Sequence, residues 1–89
     1  MTRFRVSVEI RPRDGILDPQ GRAVADALRT LGFADVHDVH VGRFVVLEAD
    51  AASPDAASAD VERMCQRLLA NPVVEDYRIT SVVPQGASA

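Results

Sequence analysis

Tryptophan and lysine are absent from this 89-residue chain, cysteine occurs once, and aromatic side chains make up 4% of it. Each shortage excludes something. The lone Cys65 has no partner for an internal disulfide, so the small core is not held by the cross-links typical of secreted domains. With one Tyr and three Phe there is no platform on which bases could stack. The basic residues are arginines scattered along the chain, and the net charge is −3. A nucleic-acid binder needs clustered positive charge to meet phosphates, which counts against that class. No stretch approaches the ~18 apolar residues of a membrane span. The start, "MTRFRVSVEIRPRDG", alternates charged and apolar residues with no continuous apolar region, which argues against a signal peptide and for a cytoplasmic protein. A glycine-rich phosphate loop is missing too.

What remains is the composition of an ordinary globular domain, 47% hydrophobic and 26% charged. A chain this short buries only about 60–65% of the surface its unfolded form exposes, so association with another chain is expected. Residues 3 to 11, "RFRVSVEIR", put Phe4, Val6, Val8 and Ile10 on one face and polar residues on the other, which is a strand. "PRDG" ends it. A helix follows from Pro19 to about Leu31, with Asp18 as its cap and Pro19 at the position that has no N–H to satisfy. Its apolar stripe is Val24, Ala27, Leu28 and Leu31, and Gly32 closes it.

Val39 and Val41 then alternate with polar neighbours, and Gly42-Arg43 fits a two-residue hairpin turn leading into a strand over 44–49. A second helix follows "DAASPDAAS", capped by Ser53 or Ser58 and carrying Val61, Met64, Cys65, Leu68 and Leu69 inward. It stops at Pro72. The last strand holds Tyr77 and Ile79 and, less regularly, Val82 and Val83. We therefore expect one domain over residues 1–83 and a frayed tail over 84–89.

The order β-α-β-β-α-β implies an α+β fold, a ferredoxin-like two-layer sandwich. Its four-stranded antiparallel sheet would carry two helices on one face. Within the expected hairpin, Val41 and Val39 oppose Phe44 and Val46, while Val36, Val45, Leu47 and Ala49 lie on the other side. Both faces are then apolar although helices can cover only one, so a second copy or another subunit should cover the sheet's open face or edge.

Few residues suggest chemistry. His37 and His40, on opposite faces of a strand, cannot chelate one ion. Cys65 sits on an apolar stripe and reads as a buried, inert thiol. Glu75 and Asp76 are adjacent on a strand, which separates them rather than converging them on a cleft as an acid–base pair requires. No catalytic, cofactor-binding or metal-ligating residue is expected. The one oddity is "DPQG", where Gly21 costs the helix roughly 1 kcal/mol relative to alanine. Gly21 would be worth keeping if a neighbouring chain approached it closely, in which case Gly21→Leu should weaken assembly and leave the isolated chain folded.

Taken in order, "GILDPQGRAVADALRTLGF", "VHDVHVGRF" and "MCQRLLANPVVEDYRI" resemble the motifs of the PurS family, the small subunits of phosphoribosylformylglycinamidine (FGAM) synthase. The resemblance runs from Phe4 to about Ile79. It departs where relatives often carry Arg at position 40 and Lys at 43. It implies a homodimer, with a tetramer left open, that has no catalytic residues and binds no cofactor. That dimer would bridge a glutaminase subunit and a large synthetase subunit whose complex uses ATP and magnesium. Asp18, Pro19, Gln20, Gly21, His40 and Arg43 are the candidate subunit contacts. Two other readings share the strand and helix order. One is an ACT-type amino-acid sensor, for which the "RDG" turn could serve as the binding loop. The other is a small acylphosphatase-like hydrolase, whose Arg-bearing phosphate loop is not found.

Overall fold

Alternation of side chains builds the central strand. In the computed structural model, which describes residues 1–15 and 17–86, β1 (Thr2–Pro12) places Phe4, Val6, Val8 and Ile10 in the core, each at most 3% exposed. Helix α1 (Pro19–Thr30) follows, then β2 (Arg43–Ala51), α2 (Pro54–Met64) and β3 (Glu75–Pro84). Both later strands run antiparallel to β1 and flank it, giving the order β2-β1-β3. Among the described residues the fold is thus α+β, with two helices and a three-stranded antiparallel sheet. Ile16 and residues 87–89 of the expected tail lie outside the described residues; of the rest of the tail, Pro84 completes β3 and Gln85 donates its N–H to the Arg3 carbonyl at 2.6 Å.

The expected fourth strand is not formed within the chain. Residues 36–42 pair with no strand, and Gly42 lacks the positive φ that a type II′ hairpin turn demands of its first residue. Its backbone is pressed against the Ile10 carbonyl, where a side chain would collide. Segment 36–41 therefore enters β2 without doubling back on it. The two histidines are accordingly not strand residues.

The core lies between the sheet and α2 alone. Val61 and Ala57 from α2 meet the β1 residues, with Val45, Leu47, Tyr77, Ile79 and Val82 at its margin; α1 adds nothing to it. Ser53 caps α2 through its Oγ, which accepts from the Ala56 N–H at 3.1 Å. After Met64 the helix widens into one π turn (Cys65–Leu69), closed by the Ala70 N–H on the Cys65 carbonyl at 3.0 Å. Cys65 is fully buried there, and removal from water, helped by Glu62, pushes its thiol pKa up. Between Ser7 and Val8 the β1–β3 register shifts, leaving Thr80 as an extra residue. That bulge explains why Val82 turns inward and Val83 outward after Tyr77 and Ile79.

The open face of the sheet corrects a second expectation. Its central strand is charged, with Arg3–Asp50 and Arg5–Glu48 at 3.2 Å and Arg78–Glu9 at 3.4 Å, so apolar exposure there is confined to Phe44, Val46 and Val83. The larger apolar surplus is on α1, only Gly21 and Ala25 of which are buried. The molecule is correspondingly extended, measuring 51 × 31 × 15 Å. Its radius of gyration is 16.9 Å, against about 12 Å for a compact chain of this length.

The division between core and surface is testable by urea titration. Val61→Ala should cost about 2 kcal/mol by opening a cavity under α2, whereas Val46→Ser on the open face should change stability by no more than about 0.5 kcal/mol.

Candidate functional site

The "LDPQG" turn and the segment around His40 come together although 23 positions separate their contacting residues. Pro19 starts α1 with its fixed φ, and the Asp18 side chain accepts the Gly21 N–H at 3.0 Å as a helix cap. The second oxygen of the same carboxylate accepts the Val41 N–H, also at 3.0 Å. His40 Nδ1 lies 3.7 Å from that oxygen. The Gly21 amide first, then the Val41 amide and the nearby His40, hold the Asp18 carboxyl below its ordinary pKa against the opposing effect of burial.

Gly21 has its reason here. A side chain at this position would run into the Val39 carbonyl and the Asp18 carboxylate. The close neighbour that the sequence suggested is thus the protein's own segment and not another chain. At the far end of α1, Gly32 takes φ +104° and the helix closes with Gly32 N–H on the Arg29 carbonyl and Phe33 N–H on that of Leu28, both at 3.0 Å. Arg29 then reaches across. Its guanidinium donates to the Val36 and His37 carbonyls at 3.0 Å and pairs with Asp26 at 2.8 Å. Asp18 and Arg29 fasten segment 36–41 along α1 at both ends, making one rigid arm. Sequence reading missed Arg29, since nothing in its spacing marks a side chain that binds backbone seven and eight residues later.

A second cluster sits where the sheet ends. Arg43 pairs with Glu75 at 2.7 Å across the end of β1, and the same Glu75 oxygen accepts the Asn71 N–H at 2.8 Å. The Asn71 amide chiefly, with Arg43, keeps the Glu75 carboxyl below its usual range. Asp76 turns away to Arg13 at 3.2 Å, so the two adjacent acids part.

Of the six candidate contacts, Asp18 and Gly21 face inward as latch and seat. Pro19, Gln20, His40 and Arg43 are exposed. Pro19 and Gln20, with Val41 and Glu75, line a hollow of about 380 Å³. A larger open depression, about 780 Å³, lies along the arm, where Arg22, His37 and His40 are set among Asp14, Asp26 and Asp38. Charges of both signs mix there. Asp18 has both oxygens engaged by amides and is no free base. No group of three or more metal-binding side chains occurs among the described residues, and no helix among them is long and apolar enough to cross a membrane.

Comparison with known proteins gives a consistent result. The family model "PurS: Phosphoribosylformylglycinamidine (FGAM) synthase" matches residues 5–83. The PurS subunit of FGAM synthase from Bacillus subtilis is 38% identical over 84 residues, covering 92% of this chain and 99% of that protein. The crystal structure of Methanocaldococcus jannaschii PurS superposes with a TM-score of 0.78 at 34% identity, covering 93% of this chain and 99% of its own. A chain of the PurLQS structure from Thermotoga maritima gives 0.78 at 29% identity, covering 96% and 100%.

Two outcomes follow from the latch. Gly21→Ala should lower the thermal midpoint and speed hydrogen exchange at Val41, although alanine is the better helix former. The Asp18 carboxyl is depressed in the folded chain, so its stabilisation is complete above the unfolded-state value of about 4 and fades as pH falls through the lower folded value. Between about pH 4 and 2, wild-type stability should therefore fall more steeply than that of Asp18→Asn, as read from urea titrations at each pH.

Proposed function

The chain belongs to the PurS family, and on that premise we propose that it serves FGAM synthase as a subunit without catalytic residues of its own, bridging a glutaminase subunit and a large synthetase subunit. The observation that carries this reading is the match through residues 5–83, supported by the likeness to one chain of a PurLQS structure over its full length. The chain's own chemistry points the same way. Its one thiol is buried with a raised pKa, and its most enclosed carboxylate is engaged by two amides.

In such a complex, glutamine supplies ammonia and the synthetase uses ATP and magnesium to activate the formamide oxygen of formylglycinamide ribonucleotide. The nitrogen then replaces that oxygen. Ammonia released into neutral water is mostly ammonium, which has no lone pair with which to attack. A bridge that keeps the two sites closed to solvent preserves the neutral nucleophile and raises its local concentration. For that work a rigid body with fixed contact surfaces suffices.

The exposed turn Pro19-Gln20, with His40 and Arg43 beside it, is the subunit-contact surface in this reading, while Asp18 and Gly21 hold it in shape. The working form is a cytoplasmic homodimer, or a tetramer made of two such dimers. Residues 1–83 act as its single domain, and the four-stranded ferredoxin-like sandwich belongs to the assembled subunit rather than the lone chain. The amino-acid sensor reading finds no support in the family match.

Reconstitution tests this. The purified chain alone should release no glutamate from glutamine and hydrolyse no ATP. Added to the glutaminase and synthetase subunits with glutamine, ATP, magnesium and substrate, it should raise FGAM formation at least tenfold. Full activity of the two larger subunits without it would refute the bridging role.

A further inference from the structure

Two stretches far apart in the sequence, "LDPQG" and "NPVVED", fold toward one place. Where β1 ends, α1 starts and β3 begins, Pro12, Leu17, Pro19, Val41 and Val74 wall a hollow of about 380 Å³. The rest of its lining is Gln20 and two carboxylates, Asp18 and Glu75, with no basic side chain among the described residues. Leu17 leaves 74% of its surface in water there.

The two acids differ in what they have left to accept. Asp18 has both oxygens on amides, those of Gly21 and Val41. Glu75 gathers its partners on one oxygen: Oε1 accepts from the Arg43 guanidinium at 2.7 Å and from the Asn71 N–H at 2.8 Å. Arg43 approaches from outside the lining, so it fixes Glu75 without filling the hollow. Oε2 accepts no hydrogen bond among the described residues, although the side chain is only 19% exposed. The Gln20 side chain, exposed at the rim, is equally without a hydrogen bond among them. Apolar walls beside an unfilled acceptor suit a side chain that is hydrocarbon along its length and cationic at its tip.

We propose that this hollow is a socket for an arginine side chain presented by one of the two larger subunits. The methylenes of that arginine lie against Pro12, Pro19 and Val74, and its guanidinium donates to Glu75 Oε2 and the Gln20 side-chain carbonyl. Arginine is favoured over lysine because its planar fork of donors serves both acceptors together, while an ammonium is more strongly hydrated. A purely apolar occupant is disfavoured, since it would strip water from Oε2 and leave it unpaired. Two carboxylates with no cation in the lining attract the same group.

This inference rests on the bridging reading above, and the experiment separates the two. Calorimetry measures binding of the chain to each larger subunit. Glu75→Gln removes the charge but keeps an acceptor for Asn71, and Leu17→Ser weakens a wall at an exposed site. Circular dichroism verifies folding, and Leu17→Ser carries the test if loss of the Arg43 pair unfolds Glu75→Gln. Against one of the two subunits both variants should bind more weakly, Glu75→Gln by at least about tenfold. The control Glu48→Gln, on the open face of the sheet, should change binding by less than about twofold. N-acetylarginine amide, as competing probe, should weaken wild-type binding more than N-acetyllysine amide at equal ionic strength, and Glu75→Gln should abolish that preference. Wild type that binds neither subunit would overturn the bridging reading and the socket with it. Wild-type binding that a folded Glu75→Gln matches, or failing that Leu17→Ser, would overturn the socket alone. Equal competition by the two amides would do the same.

Discussion

A single carboxylate holds two parts of the chain that the backbone separates by 23 positions. Asp18 is a helix cap in the ordinary sense, but a cap needs only one of its two oxygens. The other is spent on Val41, and that second bond turns a free helix and a strandless segment into one body. Gly21 makes the approach feasible, because any side chain there would hold Val39 away. Arg29 completes the fastening from the far end. With the arm so fastened, segment 36–41 leads into β2 at Gly42 without pairing beside it.

The same latch explains why the isolated fold looks unfinished. A two-layer sandwich of this size would be nearly spherical, yet the chain is a thin plate with a projecting helix. Its core rests on α2, the π turn and five buried strand residues, a small apolar store for 89 residues. The reverse of the sheet is occupied by Arg–carboxylate pairs, which suit water or a polar partner. The apolar area that requires cover is elsewhere, on α1 and next to β2. Surface of this kind suits a subunit whose work is to join larger bodies.

Much of this was legible in the residues. Period-two alternation located β1, Asp18-Pro19 marked the first helix start and Gly32 a helix end, while the second helix start was left between Ser53 and Ser58 until the fold settled it on Ser53. The hairpin was not, because Gly42-Arg43 carries the right residues for a II′ turn while its φ is decided by contact with the Ile10 carbonyl, a tertiary matter. The same holds for Gly21: its neighbour could be inferred to exist, but only the folded chain shows it to be Val39. Charges facing across the sheet, such as Arg5 with Glu48, depend on the register of β1 against β2, a pairing between strands more than thirty residues apart that no local signal fixes. Arg29 was invisible for a further reason, since backbone carbonyls as partners leave no trace in side-chain spacing.

The π turn at Cys65–Leu69 has an evolutionary corollary. One residue too many has been absorbed there without breaking the helix, rotating all that follows by roughly 100° relative to an unbroken α-helix. Removing a single residue from this stretch would turn the five-residue closure of Ala70 on the Cys65 carbonyl into an ordinary four-residue one, leaving Ala70 and the approach to β3 near their present places. Length in this stretch can therefore change by one residue without moving the core residues on either side of it, the tolerance that a widened turn gives a helix.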